Sequence, residues 1–162
     1  MSTTDKKIFI KKDVSDNWED INTRFDGVCV LGLSGMDEIG DTVNVYDEQW
    51  INSDVEDFHV VGGNMIRKNV DITLTFIVGK RYATNPDNMD VQITHDSFVD
   101  YICNTAGFYI RNEHIKKTAH VACLKAYKPT TSHIRRLRDG TDEENSYIMG
   151  SITLHTLEKI TT

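Results

Sequence analysis

The chain has 162 residues, 39% of them hydrophobic and 27% charged, and it carries a formal net charge of −7. That length predicts one folding unit, and the negative charge argues against a general nucleic-acid binder, because phosphate binding requires a net basic face. No apolar run approaches the roughly 20 residues that span a bilayer, and no apolar segment follows the polar start Met1–Asp5, so we expect a chain that is made in a cytoplasm and stays soluble there.

Residues 1–66 predict an irregular, acidic N-terminal part with short strands. Lys6–Lys12 has an apolar centre flanked by lysines, which is typical of an edge strand protected against mispairing. Val28–Leu33 is uncharged and mostly apolar, and it predicts a buried strand. We expect His59–Val61 to pair with the strand that follows it, through a turn at Gly62-Gly63-Asn64.

The clearest pattern begins residues 67–160, which we predict to be the core unit of the domain. From Val70 to Val78 every even position is apolar, and three of the four odd positions are Asp71, Thr73 and Thr75. A period of two in a segment rich in β-branched residues predicts a strand with one buried face.

A helix is predicted next, capped by Thr94 or Asp96 and ending near Asn104 or Gly107. Its length is about three turns. The apolar residues that form one stripe along it are Phe98, Val99, Ile102 and Cys103.

Strands return after the helix, at Phe108–Arg111 and at Thr118–Tyr127, and alternation predicts a last one at Tyr147–Leu157. The polar segment Thr130–Ser146 lies between them. A loop of that length in a compact domain is usually functional or disordered. We expect it to be disordered in an isolated monomer and to become ordered against a neighbouring subunit.

Charge is unevenly distributed along the chain. Asp13–Asp57 contains thirteen acidic residues and one basic residue, Arg24, whereas Ile110–Arg138 contains eight basic residues and one acidic residue, Glu113. Two solvated surfaces would explain this pattern. The alternative is that the acidic flank of one copy meets the basic flank of the next.

No pattern predicts catalysis, and we expect no catalytic, cofactor-binding or metal-binding residues. His114 and His120 lie six positions apart, whereas a helical metal pair needs a spacing of four. The three cysteines form no CxxC pair and lie in apolar stretches. They predict buried free thiols in a reducing compartment.

The segment Thr130–Ser146 supplies the candidate site. Three arginines and then three acidic residues follow one another within it, which favours a subunit interface of complementary salt bridges. Simple solvation and nucleic-acid binding are the alternatives. The candidate interface residues are Arg135, Arg136, Arg138, Asp142, Glu143 and Glu144.

The order of elements from Arg67 to Ile160 resembles that of a known family. The strand RKNVDITLTFIVG leads to the helix THDSFVDYICNTAG, the strands FYIRN and TAHVACLKAYKP, a long loop, and the closing strand YIMGSITLHTLE. This order resembles the N-terminal domain of phage distal tail proteins and the wider tail-tube family. In those families a basic residue often precedes the first strand, as Arg67 does here, and a glycine follows the helix, as Gly107 does.

The resemblance implies a mainly β (α+β) fold, a β-sandwich or partly rolled barrel with one flanking α-helix. It also implies a homo-oligomer, a hexameric ring coaxial with a virion tail, assembled in the host cytoplasm beside other tail or baseplate proteins. Such a ring has a negatively charged lumen through which DNA passes as cargo, and the net charge of −7 would suit it because like charge prevents sticking.

The hypothesis from the sequence is therefore a structural tail subunit of the distal-tail or tail-tube type, without enzyme activity. A tail terminator or head–tail connector ring is one alternative. A small β-barrel accessory protein that binds a ligand in an apolar cavity is another. An enzyme is the third alternative, and histidines that cluster in the folded chain would favour it.

Overall fold

The computed structural model describes residues 8–39, 45–49, 56–60 and 68–162, and for 45–49 and 56–60 it describes the backbone. The strands in these ranges are β1 Ile8–Lys11, β2 Glu19–Asp20, β3 Val28–Ser34, β4 Val45–Gln49, β5 Glu56–Val60, β6 Asp71–Gly79, β7 Phe108–Asn112, β8 Lys117–Ala122, β9 Thr131–His133 and β10 Tyr147–Thr156. The helices are α1 Ile21–Arg24 and α2 Val91–Asn104. The prediction of a mainly β fold is confirmed.

Eight strands form one antiparallel sheet in the order β2-β1-β7-β8-β10-β6-β3, with β9 also paired to β10. Its longest pairing joins β6 and β10, in register from Tyr147 opposite Gly79 to His155 opposite Asp71. The two strands predicted from alternation are therefore confirmed, and they are direct partners. On its other edge β10 meets β9 at its start and β8 at its last two residues, so the sheet narrows where its two halves join.

The core is one cluster to which both halves of the sheet contribute. On β6 and β10 the alternate residues are buried, as the period of two predicts. The half made by β1, β7 and β8 contributes to the same cluster, so the sheet curls around it. Burying each such side chain contributes roughly 1.5–3 kcal/mol. The largest fully buried residues of the strands are Ile10, Ile72, Leu74, Phe76, Phe108, Ile110, Ile148, Ile152 and Leu154.

Helix α2 lies across the curled sheet and contacts both halves. The Phe98 ring packs edge-on against Phe76 of β6, with centroids 4.8 Å apart, and the Tyr101 ring lies 6.2 Å from Phe108 of β7. Phe98 and Ile102 of the predicted stripe are buried, whereas Val99 and Cys103 are half-buried.

The predicted start of α2 was wrong, because Thr94 and Asp96 lie inside the helix. The N-cap is Asp90, whose carboxylate accepts a hydrogen bond from the Ile93 N–H at 3.1 Å. The predicted end is confirmed. The helix ends at Asn104, and Gly107 follows with a φ of +90°, a conformation that glycine adopts without strain.

Three other predictions need correction. The strand in Lys6–Lys12 is not at the edge of the sheet, because β1 pairs with both β2 and β7. The strand in Val28–Leu33 is confirmed, but β3 ends the sheet and its Leu31 is 53% exposed. His59–Val61 was expected to pair with β6, whereas β5 pairs with β4 and β6 lies between β3 and β10. The turn Gly62-Gly63-Asn64 lies outside the described residues.

The N-terminal part is more regular than expected over the range that the structure describes. β1, β2 and β3 all belong to the main sheet. Ile8, Ile10, Ile21 and Val28 are buried in the common core.

Candidate functional site

The segment 130–146 follows a defined, hydrogen-bonded path. β9, Thr131–His133, pairs with the start of β10. The chain then runs out and back over residues 135–143, which we call the arginine hairpin. Its base is closed by a hydrogen bond of 2.7 Å from the Glu143 N–H to the Arg135 carbonyl oxygen. The expectation that this segment is disordered in an isolated monomer and becomes ordered against a neighbour stays a prediction.

The tip of the arginine hairpin is held by local hydrogen bonds. The Leu137 carbonyl accepts from the Gly140 N–H at 3.0 Å, and the Leu137 N–H donates to the Thr141 carbonyl at 2.7 Å. Gly140 has a φ of +85°. The Asp139 carboxylate accepts from the hydroxyl and the N–H of Thr141 at 2.6 and 3.0 Å, and these hydrogen bonds lower the pKa of Asp139. The tip therefore has a defined shape before any partner binds.

Asp142 anchors the hairpin to the start of α2. It lies opposite Arg136 in the hairpin, and its side chain is 2% exposed. Oδ2 accepts the Val91 N–H, the first of the helix, at 2.8 Å. Oδ1 has Arg136 Nε at 3.6 Å, beyond hydrogen-bond distance, and no hydrogen-bond partner among the described residues. A carboxylate at a helix N-terminus is stabilised by the helix dipole, which compensates in part for its burial.

An open groove of about 340 Å³ lies beside the base of the hairpin. Ser146 of the groove is joined to the hairpin by hydrogen bonds, because its buried hydroxyl accepts from the Arg135 N–H and donates to the Arg135 carbonyl at 3.0 and 2.9 Å. Arg81 and Tyr82, which is 47% exposed, also line this groove. His133 and Tyr147 line it as well, and their rings are 5.7 Å apart.

The six candidate residues from the sequence are brought together in the hairpin and the residue after it. Arg135, Arg138 and Glu144 are exposed, and the two arginines make no ion pair with any side chain in the described part of the chain. Arg136 is also exposed, and it lies 3.7 Å from the Asp90 carboxylate. Asp142 must be removed from the set, because its carboxylate is enclosed by its own chain.

The other clusters of titratable side chains form hydrogen bonds and ion pairs with one another. His155 Nδ1 and Lys125 Nζ lie 3.0 and 3.1 Å from the Asp71 carboxylate, and these hydrogen bonds lower the pKa of Asp71. His95 bonds to Tyr127 and Asp96. Among residues 8–39 and 68–162, no three His, Cys, Asp or Glu side chains are grouped as metal ligands. The absence of catalytic and cofactor-binding residues stays a prediction.

The sequence contains a signal for the hairpin, the dipeptide Asp139-Gly140. Aspartate followed by glycine is typical of turns, and here Gly140 takes the positive φ at the end of a three-residue loop between Leu137 and Thr141. No helix in the described residues is long and apolar enough to cross a membrane.

The architecture defines a mainly β protein with a curled antiparallel sheet and a helix packed on it. No family model matches the chain, and no curated protein sequence matches it. Among solved structures, the fold is similar to that of a chain in the phage p2 baseplate in its activated conformation with Sr, with a TM-score of 0.53 and 14% sequence identity. The similarity covers 96% of this chain and 45% of that chain, so this chain spans less than half of that protein's length. At this identity the similarity shows a shared fold.

Proposed function

We propose that this chain is a structural subunit of a phage tail or of a phage-derived tail. The observation that carries the proposal is the fold shared with a phage p2 baseplate chain over 96% of this chain. The order of elements from Arg67 to Ile160, which resembles distal tail and tail-tube proteins, supports it independently. The proposed form is a ring of the distal-tail or tail-tube type, six copies in number, without enzyme activity.

A closed ring needs two different surfaces on each subunit, because each copy meets one neighbour in front and another behind. The arginine hairpin and its groove offer one such surface. Arg135 and Arg138 are exposed, Leu137 at the tip is 49% exposed, and Tyr82 in the groove is 47% exposed. Arginine and tyrosine are among the residues enriched at protein interfaces.

The order of the hairpin favours binding in a further way. Association costs free energy when loops and side chains become fixed at an interface. The hydrogen bonds at the tip and the anchor at Asp142 already fix the backbone of residues 135–143. The cost of fixing this backbone therefore arises when the subunit folds and does not weaken the interface.

Exposed acidic residues outside the hairpin offer complementary charge. Asp13 and Asp16 are exposed in the turn after β1, and Glu38 and Asp37, which pairs with Lys117, are exposed after β3. Opposite charges on the two surfaces would guide subunits together and fix their relative orientation. The excess negative charge of the chain would also let DNA pass through a central lumen without binding to it.

The oligomeric state and its salt dependence test the proposal. Light scattering and negative-stain electron microscopy of the purified chain should show a ring, and association should weaken as salt screens the charges. The double variant Arg135→Glu and Arg138→Glu should abolish assembly. Lys128→Glu with Lys159→Glu makes the same change in net charge at two exposed positions elsewhere, and it should leave assembly intact.

A stable monomer at high concentration would contradict the ring. If both double variants assemble equally well, the ring would survive, but the arginine hairpin would not be its interface.

A further inference from the structure

Two of the three cysteines come together at the junction between α2 and the β7–β8 hairpin. Cys103 lies in the last turn of α2, whereas Cys123 directly follows β8. In the antiparallel register, Phe108 lies opposite Val121. Continuing this register by two residues brings Cys123 to position 106, only three residues beyond Cys103. The hairpin thus returns the chain to the end of the helix.

The side chains of Cys103 and Cys123 are neighbours in the folded chain. Cys123 Sγ lies 3.3 Å from the Lys125 carbonyl oxygen, to which it donates, and the segment that follows Cys123 is joined to α2 by the hydrogen bond between Tyr127 and His95. Both side chains are half-buried against the core. Burial and the contact with Cys123 raise the pKa of Cys103 to about 12. Cys103 therefore keeps its proton at neutral pH.

The third cysteine is placed elsewhere. Cys29 lies in β3, opposite Ile77 of β6, on the last strand of the sheet. It is also half-buried and free. The strand order places β6 and β10 between β3 and the β7–β8 hairpin, so Cys29 is an internal control for thiol chemistry in the same chain.

We propose that Cys103 and Cys123 are a disulfide-forming pair, which closes in the folded subunit when the chain meets a low-molecular-weight disulfide such as oxidised glutathione. Cys123 acts first as the nucleophile. The S–S bond of the glutathione disulfide breaks, one glutathione leaves as a thiol, and a mixed disulfide forms at Cys123.

In the second step the Cys103 sulfur attacks the Cys123 sulfur. The mixed disulfide breaks, the second glutathione leaves, and it takes the proton that Cys103 loses. Two protein thiols are oxidised and one glutathione disulfide is reduced to two thiols, so the step is balanced. The new bond joins the end of α2 to the end of β8 and restricts the unfolded chain more than the folded one.

The chemistry of this pair does not depend on the proposed function, but its timing does. A phage tail subunit is synthesised in a reducing cytoplasm and released by lysis into an oxidising medium. Disulfides persist in the second environment and are rare in the first. The pair would therefore stay open during folding and assembly and close after release.

The test uses the full chain, purified with a reductant and then incubated with oxidised glutathione under native conditions. After alkylation, the intact mass should show the loss of two hydrogens, and peptide mapping should find Cys103 linked to Cys123. The oxidised Cys29→Ser variant should behave alike and melt several degrees above its reduced form. Cys103→Ser and Cys123→Ser should each retain their thiols or stop at the mixed disulfide.

Several results would overturn the proposal. One is a folded chain that keeps all three thiols, another is a disulfide that includes Cys29, and a third is cross-linking between chains alone. Oxidation that occurs only in urea would also overturn it, because the pair would then not be positioned by the fold. A monomer that forms the Cys103–Cys123 bond would contradict the ring and still support this pair.

Discussion

Tyr127 hydrogen-bonds to His95 of α2, with its hydroxyl 2.8 Å from His95 Nε2. His95 is 4% exposed, and its Nδ1 lies 3.1 Å from an Asp96 carboxylate oxygen. Because a carboxylate accepts, Nδ1 carries the ring proton and Nε2 accepts the Tyr127 O–H. The tyrosine ring crosses β10 at Gly150, where an added Cβ would meet Cε2 and Cζ at 2.9 and 3.0 Å. The pair thus ties α2 to the segment after β8, over the middle of β10.

Gly150→Ala should destabilise the chain, because the methyl group overlaps the Tyr127 ring. We expect the free energy of unfolding to fall by about 1–3 kcal/mol, measured by urea denaturation. Gly32→Ala is the matched control, since Gly32 is also a strand glycine and a Cβ there would meet nothing within 4 Å. Equal losses from the two changes would contradict the close approach at Gly150.

Tyr127→Phe should cost about 1–2 kcal/mol, because the buried His95 Nε2 loses its hydrogen-bond donor. The measurement is again urea denaturation. Tyr82→Phe removes a hydroxyl from an exposed tyrosine and should leave stability unchanged. A neutral Tyr127→Phe would mean that water replaces the hydroxyl at His95.

Stability should fall with rising pH in the alkaline range. Burial raises the pKa of Tyr127 from 10.0 to about 12 and is the largest cause that raises the pKa of Cys103 from 9.0 to about 12. Between the ordinary and the raised values the folded chain holds protons that the unfolded chain has released, so stability decreases as pH rises from about 9 towards 12. Urea midpoints should show this decline. Cys103→Ser and Tyr127→Phe should each make it shallower, and an unchanged slope in both would refute the assignment.

Asp142→Ala should loosen the arginine hairpin and the start of α2 together. The loss of a buried acceptor for the Val91 N–H should cost about 1–3 kcal/mol, and hydrogen exchange should quicken at both Val91 and Glu143. Asp142→Asn keeps an acceptor oxygen and should cost less. Glu144→Ala changes an exposed neighbour and is the control, so faster exchange in that variant would contradict the anchoring role.

The strands that the sequence predicted well are those with one buried face. β10 alternates along its whole length and β6 from Asp71 to Phe76, because each has core on one side there, and the pattern survives in the sequence. Which strands pair is decided by contacts far apart in the chain, so the partnership of β6 with β10, and that of β5 with β4, could not be derived from local pattern.

The start of α2 and the arginine hairpin were missed for a different reason. Both are held by a carboxylate whose partner is visible only in three dimensions, although Asp139-Gly140 marks the turn of the hairpin. Asp90 caps the helix by accepting a hydrogen bond from the Ile93 N–H. Ile93 is apolar but exposed, so it does not continue the buried stripe, and the stripe does not mark the first turn of the helix. Asp142 looked like one of three surface acids in a row, yet it is the buried member that reaches the helix.

The double role of Asp142 predicts which mutations should disturb assembly. The residue holds the first N–H of α2 with one oxygen, and its place in the hairpin shapes the surface that presents Arg135 and Arg138. A substitution that frays the first turn of the helix would therefore disturb the hairpin without touching any neighbour. A screen for assembly-defective mutants should therefore find substitutions at Asp90 or Val91 as well as in the hairpin. Second-site mutations in one of these two segments should restore assembly to mutants of the other.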